Sequence, residues 1–488
     1  MKTSFPLQTK KKINFSLPAK TKKILLLNPP GKRKYFRDYY CTKVSKGRYY
    51  YHPVDLVYLS GRLDSFWRVY LIDAIAEDLG ADQCLKKIKK IQPEIILSLV
   101  SSPSYFEDLE FLTVARNALP ETIIIGTGDV YRELKKEAFE EQNFLDAILL
   151  DFSTDDLVKF LKREEDCEFN NIIYKTSNGI IEGQETHGTA PYNYYTGQGI
   201  FDAPVPRWDL FKLEKYSFPF ARKKGFASIL TDFGCPFKCD FCPVSSLGYK
   251  LRPINIVIEE MKVLKDLGVK ELFIRDQTFG VNKERTKKLC EAMVARGLNF
   301  SWTCFSRVDV INEELLRAMK RAGCHTIIFG IETASEKLLK DYNKNINLEK
   351  IKETIALTKR NKIRASGTFI LGLPGDSKEA IKKTVDLAID LDLDFASFNI
   401  AVPRFGTKFR ADAISNDLVS KLERVMESSD SKPIWINQDI SNEEIYQLKN
   451  LAVRKFYLRP RYILKRILGL KTWEEFKNSL WEAVELIF

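Results

Sequence analysis

Cys235, Cys239 and Cys242 lie in the run Gly234-Cys235-Pro236-Phe237-Lys238-Cys239-Asp240-Phe241-Cys242-Pro243. Gaps of three and two residues let three thiolates surround one metal centre. A structural zinc or iron–sulfur site normally takes four protein ligands, so the number three matters. Three thiolates on a [4Fe–4S] cluster would leave one iron open to a small molecule. They could instead hold a zinc completed by a distant histidine, or be three buried core cysteines. The spacing alone leaves all three readings open.

These cysteines need elements to hold them, and the chain after Ala227 supplies a regular set. Strand candidates fall at 227–233, 270–275, 299–307, 325–331, 364–371 and 394–402. Helical stripes lie between them: Ile254, Ile258, Met261 and Leu264 before Gly268, then Leu315, Leu316 and Met319 before Gly323. Six β/α units predict an incomplete relative of the eight-unit barrel, with chemistry at the carboxyl ends of the strands. The three cysteines follow the first of those strands.

The cysteine run resembles the cluster motif of the radical S-adenosylmethionine (SAM) superfamily, with Phe241 as the aromatic residue before the last cysteine. The resemblance implies three ligands, Cys235, Cys239 and Cys242, on a [4Fe–4S] cluster whose open iron takes SAM, and Phe241 beside the SAM adenine. Later strand ends carry it on. Asp276 and Gln277 match a segment facing the SAM methionine, and Arg307 the place of an arginine near its carboxylate. Glu332, in Gly330-Ile331-Glu332-Thr333-Ala334, matches a recurrent Gly-Ile-Glu motif. Gly372 and Gly375 would let backbone approach the adenosine. Taken singly, Asp276 and Glu332 read as satisfied structural carboxylates; their order at successive strand ends marks them.

Before the barrel, apolar runs at 23–27, 68–72, 94–100, 122–125 and 147–150 alternate with helical stretches. This predicts a doubly wound parallel sheet with its ligand edge after Asn28, Ser98 and Gly126. The order, with Asn28-Pro29-Pro30 and Gly126-Thr127-Gly128, resembles the Rossmann-like cobalamin-binding domain ahead of many radical SAM cores. Asn28, Ser98, Gly126 and Gly128 become the implied cobalamin contacts. Two departures stand out. No Asp-x-His-x-x-Gly signature offers a histidine to cobalt, the only histidines being His52, His187 and His325. Asp151-Phe152-Ser153-Thr154 replaces the usual Gly-Glu-Gly-Glu turn.

The expected division is therefore a basic arm (1–22), a cobalamin-binding domain (23–165), a linker with a hairpin around Ser177-Asn178-Gly179 (166–222), a radical SAM core (223–408) and a helical C-terminal region (409–488). Pro204 to Asp209 should fasten the two main units together. Cys290, Cys304 and Cys324 fall inside predicted elements and read as small buried hydrophobes. Cys41, Cys84 and Cys167 lack ligand spacing.

The 488 residues carry a net charge of +12 and nine cysteines, an odd and scattered set that does not form a disulfide framework. A reducing cytoplasm is the expected location. No apolar run is long enough to span a bilayer, and lysines rather than an apolar stretch follow Met1 to Phe5. Residues 449–471 hold eight Lys or Arg and no acid among aromatics and leucines. That segment either caps the barrel or touches the inner face of an anionic membrane.

By resemblance, the leading function is cleavage of SAM to a 5′-deoxyadenosyl radical and cobalamin-dependent C-methylation of an unactivated carbon. The electron would come from a donor such as flavodoxin or ferredoxin, and the substrate would be a small molecule or lipid. A radical cyclase or rearrangement enzyme is the alternative, and a zinc-stapled binding module the non-enzymatic one. Nucleic acid is not an expected partner. Methylthiolases of tRNA carry extra N-terminal cluster cysteines and a C-terminal RNA-binding barrel, and neither is visible in this sequence.

Overall fold

The computed structural model describes residues 23–39, 42–47, 49–162, 169–183, 199–427, 440–469, 472 and 476. The expected basic arm, Cys41, Cys167, His187 and residues 470–471 lie outside this set.

The first unit is a seven-stranded sheet. Its strands are β1 (Lys23–Asn28), β2 (Arg68–Asp73), β3 (Ile95–Leu99), β4 (Ile123–Thr127), β5 (Ala147–Leu149), β6 (Ile172–Thr176) and β7 (Gly179–Glu182). Their spatial order is β2-β1-β3-β4-β5-β6-β7. The first five are parallel. Both faces are covered, so each strand is a continuous apolar run in which alternate residues serve different cores. Leu25, Leu27, Ile96 and Ile124 pack with Cys84, Ile88 and Leu112. Ile24, Leu26, Leu97 and Ile125 pack on the other side with Val57 and Leu63. The order reverses at β1, which puts the ligand edge at the loops after β1 and β3. The hairpin β6–β7 turns at Gly179, where φ is +119°, and extends this sheet antiparallel instead of standing in the linker.

The second unit contains β8 (Phe226–Ile229), β9 (Glu271–Ile274), β10 (Ser301–Ser306), β11 (Cys324–Glu332), β12 (Arg364–Leu371) and β13 (Phe395–Ile400), parallel and paired in chain order. Four of the helices between them start where short polar side chains accept a backbone N–H three residues on: Asn282, Asn312, Asn347 and Ser377. Each such cap contributes about 1 kcal/mol. The first expected strand, 227–233, is two elements. β8 stops at Ile229, and Asp232–Gly234 leaves the sheet to pair with Tyr249–Leu251. Asp276 causes the break by taking the N–H groups of Thr231 (2.6 Å) and Asp232 (3.2 Å).

The two units share a broad interface. Arg207 in the connecting segment takes Ser60 Oγ through its N–H at 3.0 Å and pairs with Asp64. Trp208 Nε1 donates to Glu260 at 3.0 Å. From the other side, Val402, Phe405 and Met426 join the core of the first sheet. Arg410–Glu133 (2.6 Å) and Arg424–Glu141 (2.8 Å) tie that contact. A ribbon built on Tyr35–Phe36 and Lys43–Val44 reaches from the first unit across the barrel mouth. There Lys46 Nζ donates to Asn399 Oδ1 at 2.8 Å.

Candidate active site

Cys235 follows the last residue of the short strand Asp232–Gly234, and its N–H donates to Gly248 O at 3.0 Å. Gly234 is required there: its φ is +83°, and a Cβ would lie 2.0 Å from Gly248 O. The rest of the loop is braced from several elements. Asp240 N–H donates to Tyr342 O (3.1 Å), Asn343 Nδ2 to Asp240 Oδ1 (2.8 Å) and Phe409 N–H to Asp240 O (3.0 Å). Arg132, from the first unit, donates to Pro243 O at 3.0 Å. A loop held this way can present side chains without a helix or strand of its own.

Cys235, Cys239 and Cys242 all line one cavity of about 220 Å³ at the carboxyl ends of the barrel strands. Gln277 and Thr278 follow β9, Ser306 and Arg307 end β10, and Glu332 ends β11; all line it too. Phe241 is at its edge, tilted against Tyr342 with ring centroids 6.3 Å apart. Thr278 Oγ1 lies 3.4 Å from Cys235 Sγ. Arg307 is fixed by Asp309 (3.0 and 2.8 Å) and Lys344 O (2.8 Å), and its Nη1 lies 3.5 Å from Cys239 Sγ. Its guanidinium also stacks 3.8 Å from the Phe237 ring centroid.

Burial pushes all three thiols up, Cys242 to about 12. At Cys239 the Lys344 and Arg307 charges oppose that effect. A metal centre is what makes thiolates of such groups, and the two cations suit the anion that results. Glu332 holds Lys344 at 2.8 Å and has φ +70°, a left-handed backbone that a non-glycine residue adopts at a cost. Among the described residues, no three His, Cys, Asp or Glu converge tightly enough to grip a single ion. Zinc ligands must close to about 2.3 Å of one point. Thiolates on different irons of a cluster stand farther apart, an arrangement that three cysteines around one shared cavity can meet.

Other expected residues are placed differently. Asp276 does not line the cavity: its carboxylate is turned to Thr231, and burial raises it to about 6. Gly372 and Gly375 also stand off. A Cβ on Gly372 would meet Ile445 of the C-terminal region at 2.8 Å, so packing and a φ of +79° account for that glycine. Gly375 has φ +80°, and a Cβ there would meet Leu338 Cδ2 at 3.8 Å, an ordinary contact. The sequence reading missed Lys43, Tyr51, Arg275 and Lys344, which also line the cavity. Lys43 Nζ sits 5.2 to 5.9 Å from the rings of Phe36, Tyr49 and Tyr51.

At the edge of the first sheet, Asn28 is committed to Tyr50 (2.6 Å), Asp73 (2.8 Å) and Arg37 (2.9 Å). Ser98 donates to Leu99 O, and the Tyr131 hydroxyl fills the space a Gly126 side chain would need. Gly128 (φ +140°) lets the loop touch Val100 O. Between this edge and the barrel, a gap of about 10 Å³ is lined by Tyr39, Asp129, Arg132, Pro243, Arg404 and Phe405. That is about one water's worth. A corrin does not fit there while Arg404 holds Thr42 O at 2.9 Å. No described histidine faces the gap. His52 stacks on Tyr216 at 3.8 Å, and His325 bonds Glu271 at 2.7 Å near the amino ends of the barrel strands.

Comparison with known proteins places this geometry. The family model "Radical SAM superfamily" matches residues 229–388. The chain is similar to an uncharacterized methyltransferase of Pyrococcus horikoshii, 30% identical over 92% of this chain and 95% of the relative. It is also similar to the anaerobic magnesium-protoporphyrin IX monomethyl ester cyclase of Cereibacter sphaeroides, 26% identical over 72% of this chain and 58% of that protein. Among solved structures it shares its fold with TsrM, a radical SAM methyltransferase from Kitasatospora setae bound to cobalamin and a [4Fe–4S] cluster. That match has a TM-score of 0.64 and 18% identity, covering 81% of this chain and 78% of that one.

Proposed function

We propose, on the premise that this chain belongs to the radical SAM superfamily, that it is a cobalamin-dependent enzyme methylating an unactivated carbon. Its subgroup carries a cobalamin-binding fold ahead of the core. The observation that carries the reading is the meeting of Cys235, Cys239 and Cys242 with Gln277, Arg307 and Glu332 in one cavity.

In this reading the three thiolates hold the cluster and Arg307 faces the SAM carboxylate, with Phe241 beside its adenine. When bound, the cluster supplies the electron that cleaves SAM, and cobalamin carries the methyl group. The chain's own part is to position and enclose. Asp309 and the Lys344 carbonyl lock the Arg307 fork, while Glu332 neutralises Lys344. The ribbon brings Lys43, and the segment after it Tyr51, to the wall of the cavity. Cobalamin would have to enter by drawing Arg404 and that ribbon back from the sheet edge.

Methylation is favoured by the name of the Pyrococcus relative and by the fold shared with TsrM. The similarity to a cyclase keeps a ring-forming reaction as the second reading. Anaerobic reconstitution followed by a SAM-cleavage assay tests the first step. A brown protein with about four irons that yields 5′-deoxyadenosine or S-adenosylhomocysteine supports it, and one tight zinc without colour would exclude it. Methyl transfer from labelled SAM, assayed with small molecules and lipids of the native cell, separates the two reactions. An electron donor such as flavodoxin or ferredoxin belongs to either. A lipid substrate would bring the protein to a membrane surface, and no helix among the described residues is long and apolar enough to cross one.

A further inference from the structure

The C-terminal region divides into two helices that treat their apolar residues differently. The helix Asn442–Tyr457 buries Ile445, Ala452 and Phe456. It packs on β13 and on the helix Lys378–Asp390. Tyr457 Oη completes the contact by donating to Ala396 O at 2.8 Å. This helix caps the barrel. The next, Pro460–Leu468, buries only Tyr462, whose hydroxyl donates to Asp394 O at 2.9 Å.

Its remaining large apolar residues face outward. Leu464 is 59% exposed, Ile467 61% and Leu468 76%, with Ile463 beside them. Positions 463, 464, 467 and 468 form one face of a helix. Leu458 and Leu451, each at least half exposed, add to the apolar surface of this region. Single exposed leucines are ordinary, but a contiguous face of this kind marks a contact surface.

Charge identifies the partner. From Ile445 to Trp473 the chain has no Asp or Glu, while Arg454, Lys455, Arg459, Arg461, Lys465 and Arg466 surround the leucines. Lys465 holds Asp392 at 2.9 Å on the side where Tyr462 bonds Asp394 O, and these contacts leave the apolar face of the helix outward; Lys455, on the preceding helix, is tied to Asp386. A second copy of the chain would bring like charges together, which disfavours a dimer through this face. An anionic lipid surface satisfies both features, taking the leucines among its acyl chains and the cations among its headgroups.

We propose that the outer face of Pro460–Leu468 seats the protein on an anionic lipid surface, with Leu464, Ile467 and Leu468 inserted. The full-length holoprotein should sediment with vesicles containing phosphatidylglycerol, and far less with phosphatidylcholine alone. Binding should weaken as salt rises. The double substitution Leu464→Ser and Leu468→Ser should lower vesicle affinity by about tenfold or more, because two inserted side chains are lost. Both positions are outside the catalytic cavity, so iron content and SAM cleavage in this variant should stay at the parental level. The proposal is overturned by full-length protein that ignores anionic vesicles. Equal binding by the variant, or a dimer in light scattering that the variant disperses, would also overturn it.

Discussion

Arg275 donates both terminal nitrogens to the carboxylate of Asp38, at 2.7 and 3.2 Å, across 237 residues of chain. Each side chain is only 2% exposed, and the Arg275 guanidinium also lies 4.4 Å from the Tyr51 ring centroid. This pair joins the carboxyl end of β9 to the ribbon over the barrel mouth. It is a main reason the cavity has a roof.

Removing one member of a buried ion pair strands the other charge. Asp38→Ala should therefore cost about 3–5 kcal/mol of stability, read as a fall in the denaturation midpoint. The double variant Asp38→Leu with Arg275→Met should recover much of that loss, since no unpaired charge remains. Additive losses in the double variant would show that the pair is not coupled.

Cluster formation should depend on the three cavity cysteines and on no other cysteine tested. Cys239→Ala should lose the brown colour and all reductive SAM cleavage. Cys290→Ala should keep both, because Cys290 is a core residue packed with Leu289 and Met293. Wild-type iron content in the Cys239 variant would exclude the assignment.

These outcomes bear on what the sequence makes legible. Spacing alone exposes Cys235, Cys239 and Cys242, because their loop is local and the ligands are close in the chain. Alternating apolar runs likewise reveal both sheets, and Ser177-Asn178-Gly179 reveals its hairpin. Which residue of a strand end faces the cavity is another matter. Arg275 and Asp276 lie just past the last residue of β9, Ile274, where strand alternation no longer decides the side, as the adjacent lining residues Gln277 and Thr278 show. The choice is made by Thr231, whose backbone captures Asp276. Lys43 and Tyr51 were illegible for a related reason: they reach the barrel only through contacts with residues hundreds of positions away. Gly372 misled because a glycine needed against Ile445 looks, in sequence, like one needed against a ligand.

Asp376 gives a pH dependence with a definite sign. Burial raises its carboxyl from 3.8 to about 6, although the N–H groups of Gly372 and Ser377 oppose the shift. A raised folded value means its stabilising contribution is complete below about pH 4 and is lost as pH climbs through about 6. Asp376→Asn removes the titration. The stability of the variant relative to the parent should thus rise between pH 4 and 7, by on the order of 2 kcal/mol. A difference that stays constant over that range, measured by urea denaturation, would show that the carboxylate is not desolvated.

The last prediction concerns the closed edge of the first sheet. Arg404 reaches from the segment after β13 to Thr42 O, and with Tyr39 and Arg132 it leaves a gap of about 10 Å³ where the sheet meets the barrel. If cobalamin enters there, the Arg404 contact must break first, and its strength opposes uptake. A charge-assisted hydrogen bond of this kind contributes about 1.5–3 kcal/mol. Arg404→Ala should then bind hydroxocobalamin on the order of tenfold more tightly or more quickly than the parent, read by the corrin absorbance retained after gel filtration. Arg132 is unsuitable for this test because it also braces the cysteine loop at Pro243. The bound cofactor carries a second signature. With His52 stacked against Tyr216 and His325 bonded to Glu271, neither imidazole can lie beneath cobalt. Neither of these two described histidines should therefore contribute nitrogen splitting to the electron paramagnetic resonance of the cobalt(II) form, which the variants His52→Gln and His325→Gln check by leaving that spectrum unchanged. Equal uptake by parent and Arg404 variant would mean that the corrin sits elsewhere. Protein that cleaves SAM and turns over its substrate with no cobalamin at all would instead favour the ring-forming reaction over methyl transfer.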